Sequence, residues 1–136
     1  MKQGSQSPRR IAVVVLNDFT RDNRVLKVAM TLAHRGASVE VVALPGEGLP
    51  VHEEREGGWS VRRLSYGIWR NDRIKGVRFL RLASIAMQAV RRYRSWDAWH
   101  CNDAEAFVLG LLAKLVSPKL KLVYDCHEFE SERNAK

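Results

Sequence analysis

The sequence predicts an α/β domain in which helices cover both faces of a doubly wound parallel sheet. Short apolar runs alternate with stretches of helical periodicity along the whole chain, which is typical of repeated strand–helix units. Two of these runs, 96–101 and 120–125, lead into a histidine close to a carboxylate. A polar break of this kind marks the carboxyl edge of a strand, where parallel sheets bind ligands. We expect the strand order 3-2-1-4-5 and one crevice at that edge.

The first strand–helix–strand unit has the clearest pattern. Residues 11–16 form a continuous apolar run and predict a strand that is buried on both faces. Apolar side chains recur at helical spacing over 25–33, with Thr20 or Asp22 as the N-cap and a glycine as the stop. Residues 39–44 predict the second strand. The unit therefore implies a right-handed crossover.

The second half of the chain continues the alternation. Residues 51–58 are polar and predict a loop or a hairpin. A helix near the end of the chain has Asn102 or Asp103 as its N-cap and is stopped by the Ser117–Pro118 pair. Strands are predicted at 59–64, 96–101 and 120–125. A long helix is predicted at 74–93, and the helix with the Asn102 or Asp103 cap at 104–116.

Length and composition indicate one globular domain. The 136 residues are 46% hydrophobic and 28% charged, which is ordinary for such a protein. We expect a flexible N-terminal segment over 1–10 and a single domain over 11–136. No apolar run approaches the ~20 residues of a membrane span. No signal-peptide core is recognisable and the two cysteines read as reduced thiols, so a cytoplasmic location is expected.

Positive charge is concentrated in the middle of the chain. The net charge is +8, whereas the segment 62–94 alone carries ten arginines and lysines against one aspartate, or +9. Such a belt predicts an anionic partner. We expect Arg70, Arg73 and Arg78 to dock the domain on an anionic membrane surface, although a solvated helix face explains the same charge. Nucleic acid is not favoured, because the arginines follow no recognised nucleic-acid motif.

The turn after the first strand is charged and lacks glycine. Neither the G-x-G-x-x-G nor the G-x-x-x-x-G-K-[ST] phosphate motif is present, so a standard dinucleotide or P-loop cradle is not predicted. An anion can still bind at the N-terminus of the next helix, with Arg21 or Arg24 beside it. Alternatively, Arg21 and Asp22 only decorate the first helical turn.

His127 beside Glu128 is the strongest candidate for chemistry. An imidazole titrates near neutral pH, so this pair can transfer protons or bind a hydroxyl-bearing substrate. A zinc site built from the two histidine–cysteine pairs is not expected, because His100 and Cys101 are successive residues of a strand and point to opposite faces. Asp103 has a competing role as a helix N-cap. We predict no metal site.

Three segments together resemble the N-terminal domain of GT-B glycosyltransferases of family 4. These are 18–39, which carries Asp18 and Arg21 ahead of the first helix and Arg24 at its start, and the histidine-containing segments 97–103 and 123–128. The likeness covers about 10 to 130, nearly the whole chain. It implies a Rossmann-like domain that forms half of a GT-B architecture and is incomplete here at its C-terminus.

The resemblance implies a retaining transfer of a sugar from a nucleotide-sugar donor to a glycan, a lipid-linked acceptor or a small molecule. By this likeness His127 and Glu128 are catalytic and His100 and Asp103 are their substrate-binding neighbours. The turn 18–24, with Asp18, Arg21 and Arg24, would lie near the donor phosphates. Many relatives carry glycines in this turn, and this chain does not.

No cofactor is implied besides the nucleotide sugar, which is a co-substrate. The donor would be bound through a missing C-terminal domain or a partner subunit, so this chain alone is expected to be inactive. The expected location stays cytoplasmic, with peripheral attachment to the inner face of the membrane through the basic belt. The alternatives are a non-catalytic α/β ligand-binding module, which the absence of an acidic cluster or flavin-type loop disfavours, and a basic nucleic-acid-binding domain.

Overall fold

The computed structural model describes residues 7–67 and 76–125. Within these residues the chain forms six strands and three helices. In chain order they are β1 (Arg10–Val14), α1 (Asn23–His34), β2 (Ser38–Ala43), β3 (His52–Arg55), β4 (Trp59–Arg63), α2 (Val77–Tyr93), β5 (Ala98–Cys101), α3 (Ala104–Val116) and β6 (Lys121–Tyr124). No helix in the described part is long and apolar enough to cross a membrane.

The strands form one sheet in the order β3-β4-β2-β1-β5-β6. The five strands predicted from the sequence are mutually parallel and have the predicted order 3-2-1-4-5, so that prediction is confirmed. The expectation of only five strands is wrong, because 52–55 adds a sixth strand antiparallel to β4. The hairpin alternative for 51–58 is confirmed. Its turn uses Gly57 and Gly58 at φ 100° and 82°, a conformation that favours glycine.

Side-chain alternation along β1 divides the core between the two faces of the sheet. Ala12 and Val14 belong to the cluster beneath α2 and α3, whereas Val13 and Val15 belong to the cluster beneath α1. All four are buried. This explains why the central strand is a continuous apolar run. The helices on opposite faces follow from right-handed crossovers that lead in opposite directions from β1.

Asp22 and Asp103 begin the helices that follow β1 and β5. The carboxylate of Asp22 accepts a hydrogen bond from Val25 N–H at 3.1 Å. Oδ1 of Asp103 accepts one from Ala106 N–H at 2.7 Å. Each aspartate satisfies a backbone donor that the first helical turn leaves unpaired. Of the two N-cap residues predicted for each helix, the structure confirms Asp22 for α1 and Asp103 for α3.

A polar cluster attaches α2 to the sheet. The hydroxyl of Tyr93 donates to Glu40 of β2, and Arg62 Nε donates to the same carboxylate oxygen at 3.0 Å. Ser60 donates to the other oxygen. Burial, reinforced by the neighbouring carboxylate, raises the pKa of Tyr93. The phenol therefore remains a neutral donor, and Arg62 is held within the domain.

Gly110 is required for the close approach of α3 to the sheet. A Cβ atom at this position would lie 2.9 Å from Leu122 Cδ2 and 3.2 Å from Cys101 Sγ. We expect Gly110→Ala to lower the free energy of unfolding by about 1–3 kcal/mol through overpacking, as measured by urea denaturation. An unhindered glycine in a helix would instead gain about 1 kcal/mol on this substitution. A stabilised variant would therefore contradict the packing described here.

Candidate functional site at the carboxyl edge of the sheet

The loops that follow the parallel strands meet at one edge of the sheet, and backbone hydrogen bonds extend the ladder into them. Leu44 N–H donates to Asn17 O at 2.8 Å, Asn102 N–H donates to Val14 O at 3.1 Å, and Asp125 N–H donates to Cys101 O at 2.9 Å. The carboxyl ends of strands β1, β2, β5 and β6 therefore lie side by side. This is the edge at which open parallel sheets bind ligands.

The loop after β1 turns without glycine. Asn17 Oδ1 accepts a hydrogen bond from Phe19 N–H at 2.8 Å, and Asn17 Nδ2 donates to Asp22 at 3.2 Å. Phe19 adopts φ 55°, a left-handed conformation that is uncommon for an aromatic residue. Its ring is buried and packs edge-on against Trp59, with ring centroids 6.1 Å apart. The buried ring and the Asn17 side chain hold the turn in the shape that glycine would otherwise allow.

An open polar cavity of about 500 Å³ lies at the N-terminus of α1. It contains all three residues that were predicted near the donor phosphates: Asp18, Arg21 and Arg24. Asp18 accepts a hydrogen bond from the Thr20 hydroxyl at 2.7 Å. The other lining residues are Asn17, Thr20, Asp22 and Asn23. Two guanidinium groups and the end of a helix dipole favour an anion here, and two carboxylates oppose it.

The two predicted site residues from β5 and its loop have different surroundings. His100 is half-buried and lies on the α1 face, because its neighbours Trp99 and Cys101 belong to the opposite core. Asp103 accepts backbone hydrogen bonds on both oxygens, from Ala106 N–H and, at 2.9 Å, from Leu16 N–H. Asp103 thus has a demonstrated structural role at the edge of the site.

Cys101 is fully buried within the core. Burial, with a smaller contribution from the Asp103 carboxylate, raises the pKa of its thiol to about 12. Such a thiol is protonated at neutral pH and is a poor nucleophile or metal ligand. Among the described residues, no group of three or more histidines, cysteines, aspartates or glutamates is arranged to hold a metal ion.

Several predicted site residues fall outside the described parts of the chain. These are His127, Glu128, Arg70 and Arg73, and their roles stay predictions. Arg78 is described. It lies in the first turn of α2, on the wall of a second cavity at the same edge.

Sequence reasoning missed this second cavity, which lies on the α2–α3 face of the sheet. Its volume is about 500 Å³. The lining residues are Leu16, Leu44, Tyr66, Val77, Arg78, Arg81, Leu82, Ile85 and Glu105. They come from five separate segments of the chain, so no local motif marks them. The one signal in the sequence is that the first two predicted strands, 11–16 and 39–44, both end in a leucine at the edge where polar side chains gather.

Arg63 connects the β1 loop with the β3–β4 hairpin. Its side chain is buried, with Nε donating to Asp18 O at 2.9 Å and Nη1 donating to Pro50 O at 3.0 Å and to Glu53. The guanidinium, mainly through its hydrogen bond, lowers the pKa of Glu53 from its usual value of 4.5. Arg62 and Arg63 therefore bind internal partners, although the sequence places them in the basic belt.

The fold and these two cavities define a class of protein, namely an α/β domain with cavities at the carboxyl edge of a mostly parallel sheet. Residues 22–135 match the model of the glycosyl transferase 4-like domain. The chain belongs to this family, which confirms the resemblance seen in its sequence. No curated protein matches the sequence significantly.

Two solved structures have a similar fold. A sucrose-phosphate synthase from Thermosynechococcus elongatus superposes with a TM-score of 0.65 at 15% identity, over 94% of this chain and 36% of that one. A second structure of that synthase, from a twinned crystal, gives a TM-score of 0.61 at 16% identity, over 90% of this chain and 66% of the other. At these identities the likeness shows the fold alone. The chain spans 36% of the first of these proteins.

The ion pair between Glu53 and Arg63 generates a pH-dependent prediction. Because the pKa of Glu53 is lowered in the folded protein, the pair stabilises the domain above the unfolded pKa, and this stability is lost as pH falls through the folded pKa. We expect Glu53→Gln to reduce the free energy of unfolding at about pH 7 and to have a smaller effect at about pH 4. Urea denaturation at both pH values measures this difference.

Glu54→Gln is the matched control, since Glu54 is the adjacent residue of β3 and its side chain is 79% exposed. It should change stability little at either pH. An equal effect of Glu53→Gln at both pH values would contradict the role given to the ion pair.

Proposed function

We propose that this domain is the acceptor side of a retaining glycosyltransferase, which transfers a sugar from a nucleotide-sugar donor to an acceptor hydroxyl. Membership of the glycosyl transferase 4-like family supports the reaction class. The observation that carries the assignment of a site is the pair of cavities on opposite faces of one carboxyl edge. Two ligands must meet in sugar transfer, and this edge offers each of them a separate surface.

The polar cavity at α1 suits the donor phosphates. Arg21 and Arg24 are exposed there and can form charge-assisted hydrogen bonds with phosphate oxygens. The N-terminus of α1 adds favourable electrostatic potential. Asp18 can accept hydrogen bonds from sugar hydroxyls, as carboxylates do. In this proposal the three residues bind and orient the donor, and no metal ion is required.

His127 and Glu128 are proposed as the catalytic residues at the acceptor hydroxyl. They follow β6, whose end lies beside β5 at the edge of the sheet. In the proposal the His127 imidazole forms a hydrogen bond with the attacking hydroxyl and positions it, with Glu128 as a neighbour. The hydroxyl oxygen then bonds to the anomeric carbon of the sugar as the bond from that carbon to the donor phosphate breaks. His100 and Asp103 complete the surroundings of the substrate. The leaving phosphate of the donor accepts the proton in a same-face attack, which retains the configuration of the sugar.

The nucleotide half of the donor requires a second domain or a partner subunit. Catalysis demands that donor, acceptor and charge-stabilising groups be held together. The similar synthase is much longer than this chain, which supports such a division. In the proposal the isolated chain therefore shows weak donor binding and no turnover with purified nucleotide sugars.

In an enzyme that contains this domain, we expect His127→Ala to lower kcat by about 100-fold or more. The reason is the loss of the hydrogen-bonding group that positions the acceptor hydroxyl for attack. Steady-state kinetics with the wild-type enzyme as reference measure the effect, and thermal unfolding should show an intact fold.

The matched control is Cys126→Ser, which changes the preceding side chain and should reduce kcat only slightly. The reverse ranking, with Cys126 essential and His127 dispensable, would argue against this proposal and for thiol or metal chemistry.

Peripheral binding to an anionic membrane at the cytoplasmic face is the second part of the proposal. The outer faces of α2 and α3 expose large apolar side chains, among them Phe79 at 74%, Met87 at 63% and Leu115 at 80%. Basic residues of α2 lie beside them, including Arg78. Insertion of these apolar side chains into the head-group region and attraction of each basic residue to anionic lipid, worth about 1 kcal/mol, together give reversible membrane binding.

We expect the chain to co-sediment with vesicles that contain anionic lipid, and to do so less as salt concentration rises. Changing Arg70, Arg73 and Arg78 to glutamate should abolish this binding, because repulsion replaces attraction. Changing Lys27 of α1 and Arg35, the C-cap of that helix, to glutamate is the control, since both are exposed on the opposite face of the sheet. Equal binding to neutral vesicles would contradict the role of charge.

A further inference from the structure

We infer that the cavity on the α2–α3 face binds an amphipathic anion, in which a phosphate group is attached to a hydrocarbon chain. This inference rests on the proposed function and identifies the class of acceptor that the domain takes. The ligand class follows from the composition of the cavity wall, from the basic residues at its rim and from its place beside the polar cavity.

The wall of the cavity is largely aliphatic. Leu16 and Leu44 lie in the loops that follow β1 and β2, and Val77, Leu82 and Ile85 contribute the surface of α2. Ile85 is buried, whereas Leu82 remains 39% exposed at the opening. A free sugar presents hydroxyl groups in every direction and gains little from such a wall. A hydrocarbon chain gains about three- to fourfold in affinity for each methylene group buried.

The basic residues lie at the same opening. Arg78 and Arg81 are three positions apart on α2 and therefore share a helix face. The Arg81 guanidinium lies 4.7 Å from the centroid of the Tyr66 ring, which orients it at the rim. Arg78 makes no ion pair with any residue of 7–67 or 76–125. Among the described residues of the wall, Glu105 is the only acidic one and stands against two arginines.

The N-terminus of α2 adds to the preference for an anion. Its N-cap is Gly76, at φ 80°, which has no side chain that could accept from the first-turn amides. The helices α1 and α3 are capped by aspartates. Guanidinium groups form paired hydrogen bonds with phosphate oxygens, and amides at the N-terminus of a helix can add to them. This support is secondary to the cavity and its two arginines.

The contrast between the two cavities strengthens the assignment. The cavity at α1 is lined only by polar and charged residues, whereas the cavity at α2 is lined mainly by aliphatic ones. Since the two lie on opposite faces of one edge, a polar donor and an amphipathic acceptor can approach the same reacting centre without competing. The hydrocarbon chain would leave toward the exposed apolar face of α2 and α3.

Binding of decyl phosphate to the chain, monitored by isothermal titration calorimetry below the micelle concentration, tests this inference. We expect one binding site and an affinity about tenfold or more above those for inorganic phosphate and for decyl maltoside. Arg78→Gln and Leu82→Asn should each weaken decyl phosphate binding about tenfold. Both positions are exposed enough for the fold to survive, which thermal unfolding verifies.

Arg91→Gln and Met30→Asn are the matched controls. Arg91 is exposed on α2, Met30 is 51% exposed on α1 at the opposite face of the sheet, and both lie outside the cavity wall, so binding should not change. Equal binding of inorganic phosphate would overturn the hydrocarbon part of the inference and indicate a soluble phosphate compound instead. Equal binding of decyl maltoside would overturn the anionic part. Unchanged binding in Arg78→Gln and Leu82→Asn would place the ligand elsewhere.

Kinetics of an enzyme that contains the domain separate this inference from the proposed function. Sugar transfer with an acceptor KM that Arg78→Gln leaves unchanged would contradict the cavity assignment and leave the reaction class intact. Binding of decyl phosphate at the cavity without any sugar transfer by that enzyme would contradict the reaction and leave the ligand class intact.

Discussion

The hydrogen bond from Leu16 N–H to the Asp103 carboxylate fixes the place where the central strand ends, and the site depends on it. The second oxygen of that carboxylate caps α3. One charged side chain therefore ties the end of β1 to the start of the helix after β5. The two loops that build the carboxyl edge cannot separate without breaking this part-buried, charge-assisted hydrogen bond, which is energetically costly. Asp103 supports the site through the backbone, whatever contact it makes with a ligand.

Arg63 has the corresponding role on the other side of β1. Its guanidinium bonds to the carbonyl of Asp18 and to Pro50, and it pairs with Glu53. A buried arginine is tolerated because several acceptors satisfy its donors. The loop that lines the polar cavity is thus held from β4. The hairpin β3–β4, far from β1 in the chain, contributes in this way to the geometry of the α1 cavity.

Opposite crossovers give the domain two unlike binding surfaces at one edge. The crossover to β2 places α1 on one face, and the crossovers to β5 and β6 place α2 and α3 on the other. One cavity is therefore bordered by the polar start of a helix, and the other by the apolar flank of a helix. If the two surfaces of this glycosyl transferase 4-like domain bind different ligands, both ligands can be bound at the same time, because neither occupies the other's surface.

The sequence by itself determined the repeated strand–helix units, the order of the parallel strands and the edge at which the polar residues gather, because buried strands and amphipathic helices are local patterns. Only the tertiary structure decided the rest. The edge strand 52–55 has no apolar alternation to reveal it, since it contributes little to the core. The belt arginines Arg62 and Arg63 turn inward because Glu40 and Glu53 face them across neighbouring strands. The aliphatic cavity combines residues from Leu16 to Glu105, and such distant residues become neighbours only when the sheet and its helices have packed.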